Sequence, residues 1–351
     1  MPIDNTIKKI DARQRIDKNE ALELFRHTDL LTLGTMANQH RFQHHAEKTV
    51  TYVKDRNINY TNVCVSGCRF CAFFAKPGDQ NAYILTKDEL GDKIRETIEL
   101  GGTQILLQGG MHPDLAIDFY VDMLRFIKAN YDIHIHGFSP PEIHFIAEKS
   151  NRSIQETIAV LKEAGLSSIP GGGAEILCDD IRHQASPQKC NTETWLDVMR
   201  QAHLQGMRSS ATMMFGHLEQ DVHIVEHMAR IRELQDETGG FTAFIPWTFQ
   251  PGNTKISVRK KTSAEYLKVL ALSRVFLDNI DNIQASWVTQ GDKIAQVALF
   301  FGANDMGSTM IEENVVASAG VDFMMTEKEL RRLIDTAGFA PRQRDCYYTL
   351  I

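Results

Sequence analysis

From residue 58 onward the chain alternates short apolar runs with longer amphipathic ones. The runs are "INYTNVCV", "QILLQGG", "IHIHGFS", "SSIPGGG", "SSATMMFG", "FTAFIPWTF", "IQASWVT" and "FFGANDMG". Helix signals lie between them. Thr86 with Glu89, Ser153 with Glu156, Thr262 with Glu265 and Thr326 with Glu329 have the spacing of a capping box, in which a hydroxyl and a carboxylate satisfy orphan N–H groups. Leu90, Ile94 and Ile98 recur every four residues as a stripe to lay on a sheet, and Gly101-Gly102 ends that helix. Eight strand–helix units predict a parallel sheet that closes on itself. The stretches "NEALELFRHTDLLTLGTM" and "HRFQHHAEKTVTYVKD" read as helical. The expected architecture is therefore an α/β (β/α)8 TIM-type barrel with an N-terminal helical extension at residues 1–49, a core at 50–285 and a C-terminal part at 286–351 completing the barrel.

Composition changes this picture little and narrows the function. A 351-residue chain with 43% hydrophobic and 24% charged residues buries a large core. The net charge of -7, with basic residues scattered among acids, predicts no nucleic-acid partner. No eighteen-residue apolar window occurs and the first twenty residues are polar, so neither membrane insertion nor a signal peptide is expected. A small molecule is the expected ligand. Of six cysteines, Cys178, Cys190 and Cys346 are isolated and read as plain packed thiols, which suits the reducing cytoplasm.

The other three stand together in "NYTNVCVSGCRFCAFF": Cys64, Cys68 and Cys71, spaced C-x3-C-x2-C after the first strand. A structural zinc site uses four ligands, commonly in pairs, and no second cysteine pair exists; a histidine would have to serve as the fourth, giving a zinc-containing binding module. Soft thiolates suit an iron–sulfur cluster better, with one iron left open to another ligand.

C-x3-C-x-aromatic-C on the first strand of a barrel resembles the signature of the radical S-adenosylmethionine (SAM) superfamily. The resemblance implies that Cys64, Cys68 and Cys71 hold a 4Fe-4S cluster whose open iron binds SAM, with Phe70 against the adenine and Gly109 and Gly110 near the SAM amino group. Together with "GGTQILLQGGMHPDL", "IHIHGFSPPEI", "ATMMFGHLE", "PWTFQPGNT" and "ASWVTQG", it is similar to the cyclic dehypoxanthine futalosine synthase family of menaquinone biosynthesis. Part of it is shared with aminofutalosine synthase and a tyrosine-using enzyme of deazaflavin synthesis. Likeness to the synthase family implies hydrogen abstraction from the ribose of the substrate dehypoxanthine futalosine, addition of the carbon radical to the benzoate ring, and an external low-potential electron donor. One departure stands out: where the superfamily often has Gly-Gly-Glu, this chain reads "QGGM".

Remaining candidates come from strand ends, which in a barrel share one face. Glu175, after three glycines, is a candidate for the SAM ribose, the alternative being a surface acid beside a tight backbone passage. No Lys-Ser/Thr follows those glycines, which argues against a phosphate loop. His217 and Glu219 are candidates for sugar binding or proton acceptance, and Glu142 for the same or for capping the next helix. Trp247 and Phe249 would flank the benzoate or fill core; Asp305 and Glu312 are weaker candidates. His40, His44 and His45 read as solvent-exposed, and Met213-Met214 as packing.

Overall fold

The structure, a computed structural model, describes residues 2–321 and 323–351. Three helices come first, α1 (Pro2–Asp11), α2 (Lys18–His27) and α3 (Leu30–His44). The second stretch expected to be helical stops at His44, and "TVTYV" is strand β1 (Thr49–Val53), followed by β2 (Asp55–Asn59). Alternating Thr, Val and Tyr lose side-chain freedom in a helix and pack well on a pleated sheet, so this correction follows from local chemistry.

The units expected from the alternation come next. Helix α4 (Lys87–Glu99) leads to β3 (Gln104–Gln108), α5 (Ile117–Asn130) to β4 (His134–Gly137), and α6 (Pro140–Lys149) with α7 (Ile154–Ala164) to β5 (Ser168–Ile169). Helices α8 (Asp179–Ala185) and α9 (Thr192–Leu204) precede β6 (Arg208–Phe215); α10 (Asp221–Thr238) precedes β7 (Phe241–Thr248), and α11 (Ser263–Phe276) precedes β8 (Asn282–Ile283). After α12 (Trp287–Gln290) and α13 (Asp292–Ala298) come β9 (Asp305–Ser308), α14 (Glu327–Thr336) and β10 (Ala340–Gln343). All four expected capping boxes are formed, and Asp17 with Glu20 makes another at α2. On α4 the buried face is Leu90 and Ile94, whereas Ile98 is 39% exposed, so the apolar stripe is narrower than its spacing suggested.

Strands β2 to β8 form one parallel sheet in chain order, and β10, β1 and β9 form a second. Strand β9 joins them. The Ala285 N–H donates to Asp305 O at 2.8 Å and the Asn304 N–H to Ile283 O at 3.1 Å; on the other side Thr309 N–H donates to Val53 O and Ile311 N–H to Asp55 O. The ring of strands is thereby closed, and the apolar core lies between its outer face and the helices.

The floor of the ring, where the strands begin, is closed by the C-terminal tail. Arg344 donates to both carboxylate oxygens of Asp305, at 2.8 and 3.0 Å, with side chains 5% and 0% exposed. Thr51 adds a hydroxyl to the same carboxylate at 2.5 Å, and Tyr348 lies 3.2 Å from the guanidinium. Asp305, expected near the active face, serves the floor instead, because it starts its strand rather than ending it. Glu312 pairs with Lys93 on the outside of the ring.

Breaking a buried ion pair from one side leaves an uncompensated charge. Arg344→Met is therefore expected to lower stability by about 3–5 kcal/mol, read as a fall in the urea midpoint with little change in slope. Arg344→Met with Asp305→Leu should recover most of that loss.

Candidate active site at the top of the barrel

The cysteine loop leaves the end of β2 and folds back across it. Cys64 N–H donates to Ala75 O at 3.0 Å, and the amide of Asn62 holds Asn81 O and Tyr83 N–H. Arg69 is tied by its backbone N–H to Ala185 O and by its carbonyl to Lys255 N–H. The glycines at the end of β3 make room for this loop. A Cβ on Gly110 would stand 2.1 Å from Val63 O and 2.8 Å from Cys64 Cβ, and one on Gly109 would strike the Tyr60 ring. Glycine is needed here for close backbone approach rather than for an unusual dihedral.

Cys68 is buried, and Cys64 and Cys71 are half-buried. Burial pushes the Cys68 and Cys71 thiols up, while the charge of Lys189 opposes this at both, with the backbone N–H groups of Phe73 and Phe74 at Cys71. Ser66 Oγ lies 3.0 Å from Cys68 Sγ. Three soft sulfurs on a pinned loop, with hydrogen-bond donors and a cation around them and little water, fit an iron–sulfur cluster.

Glu175 and Lys189 lie beside this loop. Their ion pair measures 2.8 Å, with side chains 8% and 16% exposed. Burial would raise the Glu175 carboxyl, but the Lys189 charge and hydrogen bond outweigh it and leave the group below its ordinary value. Glu175 has φ 44°, a left-handed backbone that a non-glycine residue adopts at a cost. Lys189 also lies 5.0 Å above the Phe70 ring, and Phe70 packs against the cluster of Met214, Phe249 and Ile256, as Trp247 does. Phe70, Glu175 and the cysteines therefore share one corner. Gly171 needs its missing side chain because β6 runs alongside, 2.6 Å from where its Cβ would be. The glycines do form a tight passage, but Glu175 is a buried acid at the cavity wall and not the surface acid expected with it.

The three residues expected to act on protons occupy other places. Glu142 is fully buried and accepts from Tyr60 Oη at 2.8 Å, Gly109 N–H at 2.9 Å, and both the N–H and hydroxyl of Ser139. It caps α6 and fixes Gly109, so an acid arriving from the neighbouring strand braces the glycine pair. Glu219 accepts from the backbone N–H groups of Gly216 and His217, at 2.6 and 2.9 Å. His217 stands edge-on to Phe249, with Nε2 3.1 Å from Met214 O, and burial lowers its pKa. None of the three lines the cavity: Glu142 and Glu219 are consumed in shaping strand ends, and His217 Nδ1, 3.6 Å from Glu219, is buried beside it without a hydrogen bond.

The cavity is the barrel lumen itself, about 280 Å³. Its wall includes Asn57, Gln108, Ser210, Thr212, Gln284 and Ser286, with Trp247 and Trp287. Barrels of this type are ordinarily filled by branched apolar side chains; here polar side chains share the inward positions with residues such as Leu106 and Ile245. The signal was available in the sequence as polar residues two apart within strands, Asp55-Asn57-Asn59 and Ser210-Thr212. Lys189, in an irregular segment, had no such signal.

Comparison with known proteins gives a consistent picture. Residues 58–231 match the radical SAM superfamily, and residues 238–351 match the CofH/MqnC C-terminal region. The chain is 45% identical to a cyclic dehypoxanthine futalosine synthase of Halalkalibacterium halodurans, over 100% of this chain and 95% of that one. It is 42% identical to a 5-amino-6-(D-ribitylamino)uracil--L-tyrosine 4-hydroxyphenyl transferase of Methanocaldococcus jannaschii, over 96% and 98%. In fold it is similar to the hydrogenase maturase HydG of Carboxydothermus hydrogenoformans, with TM-score 0.76, 17% identity and coverage of 99% and 80%. Methylornithine synthase has TM-score 0.70, 19% identity and coverage of 95% and 96%.

The Glu175–Lys189 pair gives a pH signature. A carboxyl depressed on folding contributes stability that is complete above its ordinary value of 4.5 and lost as pH falls through the lower folded-state value. Lys189→Met is expected to be less stable than wild type by about 3 kcal/mol at neutral pH. Urea midpoints measured from pH 7 to pH 3 should show that gap shrinking as pH falls, first above 4.5, where the unpaired buried carboxyl of the variant takes up its proton, and further below 4.5 as the wild type loses its own stabilisation; a constant gap would mean that lost packing, not charge, is the cause.

Proposed function

The chain belongs to the radical SAM superfamily, in the group that holds the cyclic dehypoxanthine futalosine synthases; on that premise we propose that it cyclises dehypoxanthine futalosine in menaquinone biosynthesis. Cys64, Cys68 and Cys71 would hold a 4Fe-4S cluster, and Phe70, Gly109, Gly110 and Glu175 would form the SAM pocket beside it. Cluster and SAM together supply hydrogen-atom abstraction when bound, with electrons from an external low-potential donor. No described helix is long and apolar enough to cross a membrane, and the free thiols suit a reducing cytoplasm.

The protein's own part is to orient the substrate and exclude water, since a carbon radical reacts with whatever C–H bond is nearest. Neutral hydrogen-bonding groups on the lumen wall suit ribose hydroxyls. Trp247 and Trp287 offer flat apolar surface to an aromatic ring. Asn57 Oδ1 is buried on this wall with no protein partner, which leaves it open to a donor from water or a ligand.

The observation that carries the cyclase reading is the 45% identity over the whole chain to a cyclic dehypoxanthine futalosine synthase, against 42% to the transferase, and this reading is compatible with the charge state of the wall. Its charged residues are already engaged: Asp55 by Gln104 and Ser308, Glu175 by Lys189, Glu313 by the backbone amides at 315–317, Arg344 by Asp305. Only Glu175 and Arg344 are neutralised by a partner charge; Asp55 and Glu313 are held by neutral donors.

Anaerobic, reduced holoenzyme given SAM should consume dehypoxanthine futalosine and release a cyclised product identified by mass. Consumption of tyrosine with the ribityl uracil, and not of the futalosine derivative, would defeat the cyclase reading and favour the transferase. Cys68→Ala should lose iron, acid-labile sulfide and turnover while keeping its far-UV spectrum. Asn57→Leu should keep the cluster and SAM cleavage but lower product formation at least tenfold, roughly the loss of one buried hydrogen bond.

A further inference from the structure

At the opposite end of the lumen from the cysteine loop, β4 and the C-terminal tail bring nitrogen and sulfur donors together. His134 and His136 lie two apart at the start of β4 and so project to the same face. Cys346 enters from the tail two residues after Arg344, which the floor ion pair holds in place. One ligand atom from each of the three lies within 4.8 Å of the other two. They converge on Ser168 Oγ, which is 2.7 Å from His134 Nε2, 2.6 Å from His136 Nδ1 and 3.4 Å from Cys346 Sγ.

We propose that His134, His136 and Cys346 form a metal site for a divalent cation of the zinc class, which takes over the bridging position of Ser168 Oγ and ties the tail to β4. Two imidazoles and one thiolate are a ligand set that zinc accepts, with one coordination position left. That position faces the lumen, because His136 and Cys346 both line it. The second nitrogen of His136 lies 3.4 Å from Ser210 Oγ, and the His134 ring stands edge-on to Tyr347 at 5.0 Å, so both rings are oriented from behind. Binding the metal as thiolate releases the Cys346 proton to solvent, with no change of oxidation state.

The test uses holoenzyme with its cluster in place, equilibrated anaerobically with one equivalent of zinc chloride and desalted. Zinc, iron and sulfide are then measured, and the zinc K-edge absorption recorded. One zinc per chain with unchanged iron and sulfide is expected, with two nitrogen scatterers at about 2.0–2.1 Å and one sulfur at about 2.3 Å. Failure to retain zinc, or a shell of sulfur alone from metal displacing iron on the cysteine loop, would overturn the proposal. Cys346→Ser and His136→Asn should each weaken zinc retention at least tenfold without loss of iron. Retention equal to wild type in both would count against the site, and should either variant misfold by circular dichroism, the wild-type scatterer count decides alone.

Discussion

The buried pair of Arg344 with Asp305 is the constraint on which the barrel rests. The ring closes through strands β8 and β9, which are two and four residues long and supply few backbone hydrogen bonds. A carboxylate at the start of β9, gripped at both oxygens by a guanidinium from the tail, fixes that junction from below. Removing both charges from water is costly, and two parallel charge-assisted bonds, a threonine hydroxyl and a tyrosine offset the cost. The last residues of the chain thus set the geometry of a strand ring whose first member begins at residue 49.

Closing the floor allows the lumen to remain unfilled. In this chain the apolar mass has moved outward, into the layer between strands and helices, where Leu107, Leu124, Ile135 and Phe244 are fully buried. Stability and binding are therefore separated in space: the outer layer supplies the hydrophobic free energy, and the inner wall is free to carry amides and hydroxyls. Two strained residues sit on the upper rim. Phe138 and Glu175 both end or follow strands with left-handed backbones, and each is deeply buried. Packing from the rigid layer beneath holds them in conformations their side chains disfavour.

The carboxylates on that rim illustrate how position in sequence and role in structure diverge. Glu142, Glu175 and Glu219 all follow strands, and from the chain alone they look equivalent. In the fold one caps a helix and braces a glycine, one pairs with a lysine at the cavity wall, and one gathers the amides of its own turn. The difference comes from what each meets across space, a backbone N–H or a charged side chain, and local spacing does not report it.

Interactions spanning three or four residues were legible in the sequence: the capping boxes, the alternation of strand and helix, the three cysteines and the polar residues repeating every second position within strands. Each depends on backbone periods that are the same in every protein. Tertiary structure alone decided the rest. It joined β9 to β1 across some 250 residues, sent the tail beneath the ring, delivered Lys189 to Glu175, and brought Cys346 to His134 and His136. Those contacts depend on how the whole chain closes, because the free energy of a buried charge or thiol is set by neighbours that only the completed barrel supplies.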